Sequence, residues 1–337
     1  KSLSLISSLL LTTNALKCSK SVVSITNRCG IGRSASIFSR FASSTTDPTV
    51  KEKLKVGLCQ ILVGQNKQEN IKKASNLLDS VSSPDLLVLP ECWNSPYGVQ
   101  YFPAYAEPVP NVGDSIANID IAASPSSAML LEKAQSKKIW IVGGSIPERG
   151  EGDVLYNTCI IINPEGQVVG KHRKVHLFDI NVPGKITFKE SDSLSPGGSD
   201  TLIESFPWGG LGVGICYDIR FPEYAMMLRQ KGAKILVYPG AFNMVTGPAH
   251  WELLQRARAV DNQVYVITCS PAREEGGKGY IAWGHSTVVS PWGDIVAKAG
   301  AGEEVIVAEL ELKQVEEMRE NIPCWRQKRQ DLYELRF

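Results

Sequence analysis

The sequence predicts a layered α/β protein made of two similar halves, each a sheet covered by helices, packed sheet to sheet. Three observations lead there. Helical and apolar segments alternate in the second half: a helix over residues 220–231, a buried strand over 233–238, a helix over 249–262 and a strand over 264–268. Residues 85–90 form a continuous apolar run, the mark of a strand buried on both faces. Two hairpins also echo one another, INPEGQVVGK (162–171) and VSPWGDIVAK (289–298). Asn163 or Ser290, then Pro, any residue and Gly, fit a type I turn leading into an apolar strand and Lys.

Taken in order, residues 1–50 stand apart. Lys1, Lys17, Lys20, Arg28, Arg33 and Arg40 occur with no acidic residue before Asp47, serine is abundant, and the apolar cluster at 3–11 is too short to span a membrane. This composition predicts a disordered organelle transit peptide, with plastid favoured over mitochondrion by the serine bias and sparse arginine. A secretory signal fits less well, because the basic residues follow the apolar cluster. The body, 51–337, opens with a strand at 55–61, whose β-branched and alternating residues suit a pleated sheet. Ile71, Ala74, Leu78 and Val81 then recur at helical spacing over 66–81. The strand at 85–90 ends in Glu91, a carboxylate that needs a partner if it is buried. Residues 92–110, rich in Pro, Tyr and Asn, read as a loop. A helix is expected within 118–138, with Pro125 breaking it, followed by one strand at 139–146. The tail, 312–337, starts with a short charged helix and ends in Trp325, Leu332, Tyr333, Leu335 and Phe337. With no period to bury them, these side chains predict a segment that lies on another surface, on its own subunit or on a partner.

Composition narrows the function classes. Of 337 residues, 43% are hydrophobic and 21% charged, ordinary for a globular enzyme or binding protein. A net charge of +1 gives no support for nucleic acid or an anionic membrane as a general partner. The cysteines at 18, 29, 59, 92, 159, 216, 269 and 324 form no CxxC pair, which argues against a zinc or thioredoxin-like site and for free thiols in a reducing compartment. GxSxG, P-loop and GxGxxG patterns are absent.

The chemistry concentrates in GVGICYDIRFPE (212–223). A short apolar run ending in Cys216 and followed by a helix places the thiol at a strand's carboxyl end, where open α/β sheets bind ligands. The backbone N–H groups that follow would face whatever the sulfur attacks. A buried structural thiol is the alternative. Two further stretches bear on that choice, LLVLPE ending at Glu91 and KHRKVHLFD carrying Lys174. Together the three resemble the Glu–Lys–Cys arrangement of the nitrilase superfamily of carbon–nitrogen hydrolases, over residues from about 53 to the end. The ω-amidase branch is the most similar, through PECWNSPYG (90–98), RKVHLFDI (173–180), ITFKESDSLSPG (186–197), ICYDIRFPE (215–223) and the long stretch from YPGAFNM to NQVYV (238–266). The segment SIANIDIAASPSSAM (115–129) is longer than that pattern.

The resemblance implies a four-layer α-β-β-α sandwich, a homodimer, and amide hydrolysis with no metal or organic cofactor. It implies Cys216 as nucleophile, Glu91 as proton acceptor and donor, Lys174 as oxyanion stabiliser, and Glu190 as an additional active-site carboxylate; otherwise Glu190 reads as a solvated loop residue. The N–H of Tyr217 is a second oxyanion donor. Tyr97, Arg220, Phe242, Asn243 and Thr246 would line the mouth of the site and hold a small acid, or else pack their loops. His172 and His176, four apart, read as structural or surface residues rather than metal ligands, since Lys174 between them opposes a cation. Asp218 and Arg220 read as a local brace. For the ω-amidase branch the expected substrates are 2-oxoglutaramate and 2-oxosuccinamate. The alternatives are another carbon–nitrogen hydrolase, acting on a carbamoyl compound or a nitrile, and a non-catalytic protein that keeps the scaffold.

Overall fold

The computed structural model describes residues 51–276 and 279–336; the expected transit peptide lies outside them, as does Phe337. The chain opens with strand β1 (Lys53–Gln60), helix α1 (Lys67–Ser80) and β2 (Leu86–Val88). The one-turn α2 (Phe102–Tyr105) sits inside the expected loop, followed by α3 (Pro125–Lys137), β3 (Trp140–Val142) and β4 (Ile146–Arg149). Two hairpins come next, β5 (Leu155–Ile162) with β6 (Val168–Arg173), and β7 (Asp179–Val182) with β8 (Ile186–Lys189). The second half contains β9 (Thr201–Ile203), β10 (Gly210–Val213), α4 (Pro222–Gln230), β11 (Ala233–Pro239), α5 (Thr246–Asn262) and β12 (Tyr265–Cys269). It closes with β13 (Thr287–Val289), β14 (Ile295–Lys298), β15 (Glu304–Glu311) and α6 (Lys313–Asn321).

The two sheets repeat one plan. In the first, β1, β2 and β3 run parallel, β15 flanks β1 antiparallel, and β5 then β6 extend the far side antiparallel. In the second, β10, β11 and β12 run parallel, β9 flanks β10, and β13 then β14 extend the far side. The hairpins β5–β6 and β13–β14 therefore hold equivalent places, and their sequence echo reflects the repeat. Each closes with the i to i+3 bond of a tight turn, Gly166 N–H to Asn163 O and Gly293 N–H to Ser290 O, both 2.9 Å.

Alternation along the strands sorts the layers. Leu87, Leu89, Ile141 and Ile160 meet Ile71, Leu78, Leu130 and Leu131 of α1 and α3. Their neighbours Val56, Leu58, Val88, Val142 and Ile161 point the other way, into the core shared with the second sheet. There Gly212 faces Leu228 of α4 and Leu236, so Leu211 and Val213 face inward. Helices outside and sheets inside give the expected α-β-β-α sandwich.

Several boundaries differ from expectation, among them the start of α5, at Thr246 and not at 249. Pro125 starts α3 instead of breaking a helix: at the first helical position its missing N–H costs nothing, and a separate 3-10 turn, Ile116–Asn118, precedes it. The helix expected from Arg220 starts at Pro222, after a 3-10 turn over Cys216–Arg220. The single strand expected at 139–146 is split into β3 and β4. Gly144 there has φ +64°, and a Cβ on it would lie 2.3 Å from Pro90 O. That close approach lets Ser145 N–H reach Pro90 O at 3.0 Å and Trp93 Nε1 reach Gly143 O at 2.8 Å, which seats the loop after β2. Helix α1 matches its sequence reading, with Asn66 capping Glu69 N–H at 3.1 Å.

Candidate active site

Four strand ends supply the site. Glu91 stands three residues beyond β2, Cys216 three beyond β10, Lys174 directly after β6, and Glu190 directly after β8. The β6 segment shows how a two-residue period serves two purposes. Lys171 and Arg173 turn to one side and meet the buried Glu148 of β4, at 2.7 Å and through paired guanidinium bonds of 2.8 and 2.7 Å. His172 and Lys174 turn to the other side, into the site.

Lys174 Nζ lies 2.8 Å from Glu91 Oε1 and 2.9 Å from the Glu190 carboxylate, and all three side chains are 0% exposed. Isolated charges at such depth would be very costly, so their mutual pairing is what holds them there. Further donors fix the carboxylates. Asn157 Nδ2 donates to Glu91 Oε1 at 2.9 Å and Ala241 N–H to Oε2 at 2.8 Å. Phe178 N–H donates to Glu190 Oε2 at 2.7 Å and Tyr97 hydroxyl to Oε1 at 2.9 Å. Burial pushes the Glu91 carboxyl above its usual range and the Glu190 charge adds to this, while Lys174 opposes it. For Lys174, burial works downward, but Glu190 and Glu91 overcome it and hold the ammonium well above its usual value. Two carboxyls sharing one cation make a site that holds a proton readily on Glu91.

Cys216 faces Glu91, and each perturbs the other. The thiol is buried and sits well above its ordinary pKa, first through burial and then through the Glu91 charge, with Lys174 pulling the other way. The thiol thus sits beside a carboxyl group that, in its ionised form, can accept its proton on attack. Cys216 has φ 46°, a left-handed conformation unusual for a residue with a Cβ. It opens the 3-10 turn, whose first N–H groups, Tyr217 among them, have no carbonyl partner within the turn.

The other expected residues divide. Tyr97 reaches Glu190 and packs on Tyr280, ring centres 4.4 Å apart, under Phe188 at 5.6 Å. Arg220 stacks over Phe242 at 4.7 Å, and its Nε is buried without a partner. Phe242 is buried against Trp251. Asn243 and Thr246 are engaged at the start of α5: Asn243 Oδ1 accepts from Val245 N–H and Thr246 N–H, both 2.9 Å, and from the Thr246 hydroxyl at 3.2 Å. Only Asn243 Nδ2 is left, buried and unpartnered. The Asp218–Arg220 brace is not formed. Asp218 instead bonds His172 and His176, while Arg220 Nη1 turns to His250 Nδ1 at 3.3 Å. Both histidines are structural in the sense expected, and neither lies on the surface as an isolated residue. Asn157 and Tyr280 were missed. A polar residue inside the apolar strand LYNTCIII was a usable signal for Asn157, since burial there demands a partner. Tyr280, whose hydroxyl donates to Ala241 O, sits in a glycine-rich loop with no pattern to single it out.

Known proteins resemble this chain over most of its length. The carbon-nitrogen hydrolase family matches residues 55–320. An omega-amidase of Xenopus tropicalis is 53% identical over 283 residues, 83% of this chain and 97% of the relative. A chloroplastic omega-amidase of Arabidopsis thaliana is 52% identical over 285 residues, 84% of this chain and 74% of the relative. Among solved structures, a branch 10 nitrilase-superfamily member from Saccharomyces cerevisiae superposes with a TM-score of 0.74 at 44% identity, covering 83% of this chain and 98% of its own. The chain belongs to the carbon–nitrogen hydrolases of the nitrilase superfamily.

Proposed function

We propose that the protein is an ω-amidase that hydrolyses the terminal amide of 2-oxoglutaramate and 2-oxosuccinamate, giving 2-oxoglutarate or oxaloacetate and ammonia. The observation that carries the reading is the buried Glu91–Lys174–Glu190 array facing Cys216, together with the similarity to omega-amidases over most of the chain. Glu91 takes the thiol proton as sulfur attacks the amide carbon. The oxyanion forms between the Lys174 ammonium and the Tyr217 N–H, where one such donor is worth about 2.7–4 kcal/mol of barrier. Glu91 returns its proton to nitrogen, ammonia leaves, and a thioester remains on Cys216. A water deprotonated by Glu91 then releases the acid and restores the thiol. Glu190 orients Lys174. No step needs a metal or organic cofactor.

At the far end of the substrate, Arg220 Nε and Asn243 Nδ2 provide unpaired buried donors for a carboxylate and a keto oxygen, with Tyr97, Phe242 and Thr246 shaping the wall. Ammonia release from 2-oxoglutaramate, measured beside a nitrile and a carbamoyl compound, tests this. Preference for the 2-oxo amide by at least about 100-fold in kcat/KM is expected, or about 2.7 kcal/mol. Preference for either other class would replace the substrate assignment within the same family.

Two further features belong to this reading. Residues 1–50 act as a chloroplast transit peptide, as their composition and the chloroplastic relative suggest. The chain works as a homodimer, with the tail, 312–337, crossing to the second copy. A reporter fused to residues 1–60 should enter plastids; a mitochondrial signal would correct the organelle, and a cytosolic one would remove the targeting role.

A further inference from the structure

We propose that Asp218 is a positioning residue that ties the strand end carrying Lys174 to the turn carrying Cys216. The inference rests on the reading of those two groups as the reacting pair. Asp218 is fully buried and each of its oxygens serves both elements or holds one firmly. Oδ2 accepts from Ile215 N–H at 2.8 Å and lies 3.1 Å from His172 Nε2. Oδ1 accepts from His176 N–H at 2.9 Å and lies 2.8 Å from His176 Nδ1. His172 and His176 stand two residues either side of Lys174, while Ile215 and Asp218 bracket Cys216. One carboxylate thus pins both flanks of the ammonium to both flanks of the sulfur.

The anchoring groups are themselves held. His172 Nδ1 lies 3.2 Å from Thr201 Oγ1 in β9, and the His176 ring stacks on Phe221 with centres 3.6 Å apart. A buried carboxylate can hold four donors at once because it only accepts. Burial alone would raise its pKa, but hydrogen bonds from His172, His176 and the Ile215 N–H keep it well below the usual carboxylate range. Asparagine, of the same shape, has one accepting atom and one donating atom. Whichever way its amide is turned, an NH2 group must face either the Ile215 N–H or the His176 N–H, and neither backbone group can change role. One flank is then released, on the nucleophile side or on the lysine side. Displacement of a catalytic group by about 1 Å can cost about 100-fold in rate.

The test measures kcat and KM for ammonia release from 2-oxoglutaramate, with melting temperature as a check on folding, in Asp218→Asn, His176→Asn, His176→Leu and Cys216→Ala. Asp218→Asn should lower kcat about 100-fold and leave KM within about threefold, because the groups displaced are the reacting ones and not those that bind the distal acid. His176→Asn places an amide nitrogen where Nδ1 was and should recover most of kcat, whereas His176→Leu keeps bulk without the donor and should fall as Asp218→Asn does. If Asp218→Asn does not fold, the two His176 variants decide the matter. A folded Asp218→Asn enzyme with wild-type kcat, or equal kcat in the two His176 variants, would overturn the proposal. Turnover retained in Cys216→Ala would instead overturn the active-site reading on which it rests.

Discussion

A lysine buried between two glutamates leaves one negative charge in excess when all three are ionised, and that excess sets the proton affinity of the site. Glu91 is raised by burial and by the Glu190 charge, so the base form that the proposed mechanism requires is favoured only above the ordinary glutamate range. The acid limb of kcat/KM should therefore lie above about pH 4.3. In Glu190→Gln the neighbouring negative charge is gone, the Glu91 carboxyl drops, and the acid limb should move to lower pH while kcat itself falls. A limb that moves to higher pH in that variant would reverse the assignment of charges. At this scale the sequence was readable where a polar residue ended an apolar strand, as for Glu91 and Cys216. Lys174 and Glu190 were legible only through their resemblance to a family. Each belongs to a polar stretch where many charged residues would look alike, and their pairing across 16 residues depends on the β7–β8 hairpin folding back.

Among the elements, the interruption between β3 and β4 matters most for the site, since it lets the loop bearing Glu91 settle against Gly143–Ser145. Gly144→Ala forces a Cβ to within 2.3 Å of Pro90 O at a positive φ. The loop must then move, and a stability loss of about 1–3 kcal/mol is expected, with a fall in kcat larger than any change in KM. Thermal melting and steady-state kinetics of that variant check the link; an unchanged melting temperature with full activity would show that the loop does not depend on the interruption. The glycine pair in IWIVGGSI was a readable sign of the split, because glycine inside a strand weakens it and often marks a bend or a close backbone approach. Pro125 misled: proline reads as a breaker, yet at the first position of α3 it is a starter.

For the molecule as a whole, two sheets of one topology bury a common core, and the repeated turn sequences announced this. The described cysteines, Cys59, Cys92, Cys159, Cys216, Cys269 and Cys324, are free, in keeping with a fold that needs no crosslink. The tail divides: Leu312, Val315 and Met318 at and in α6 are buried on the chain's own core, while the side chains beyond α6 find little to pack on and were the least predictable part. Trp325 rests under Arg229 at 4.2 Å, but Leu332 and Tyr333 remain 70% and 53% exposed. Apolar groups left in water at a chain end favour a partner surface. Light scattering of residues 51–337 should give a dimer, and a chain ending at Asn321 a smaller species with reduced activity. A fully active monomer of residues 51–337 would exclude the crossing tail.

The central claim is that a thioester on Cys216 carries the reaction. Intact-mass spectrometry of the enzyme quenched during turnover of 2-oxoglutaramate, run beside Cys216→Ala, tests it most directly. The account predicts an acyl adduct that maps to Cys216 in the native enzyme, with neither adduct nor ammonia release in the folded Cys216→Ala variant. Undiminished ammonia release by that variant would contradict it.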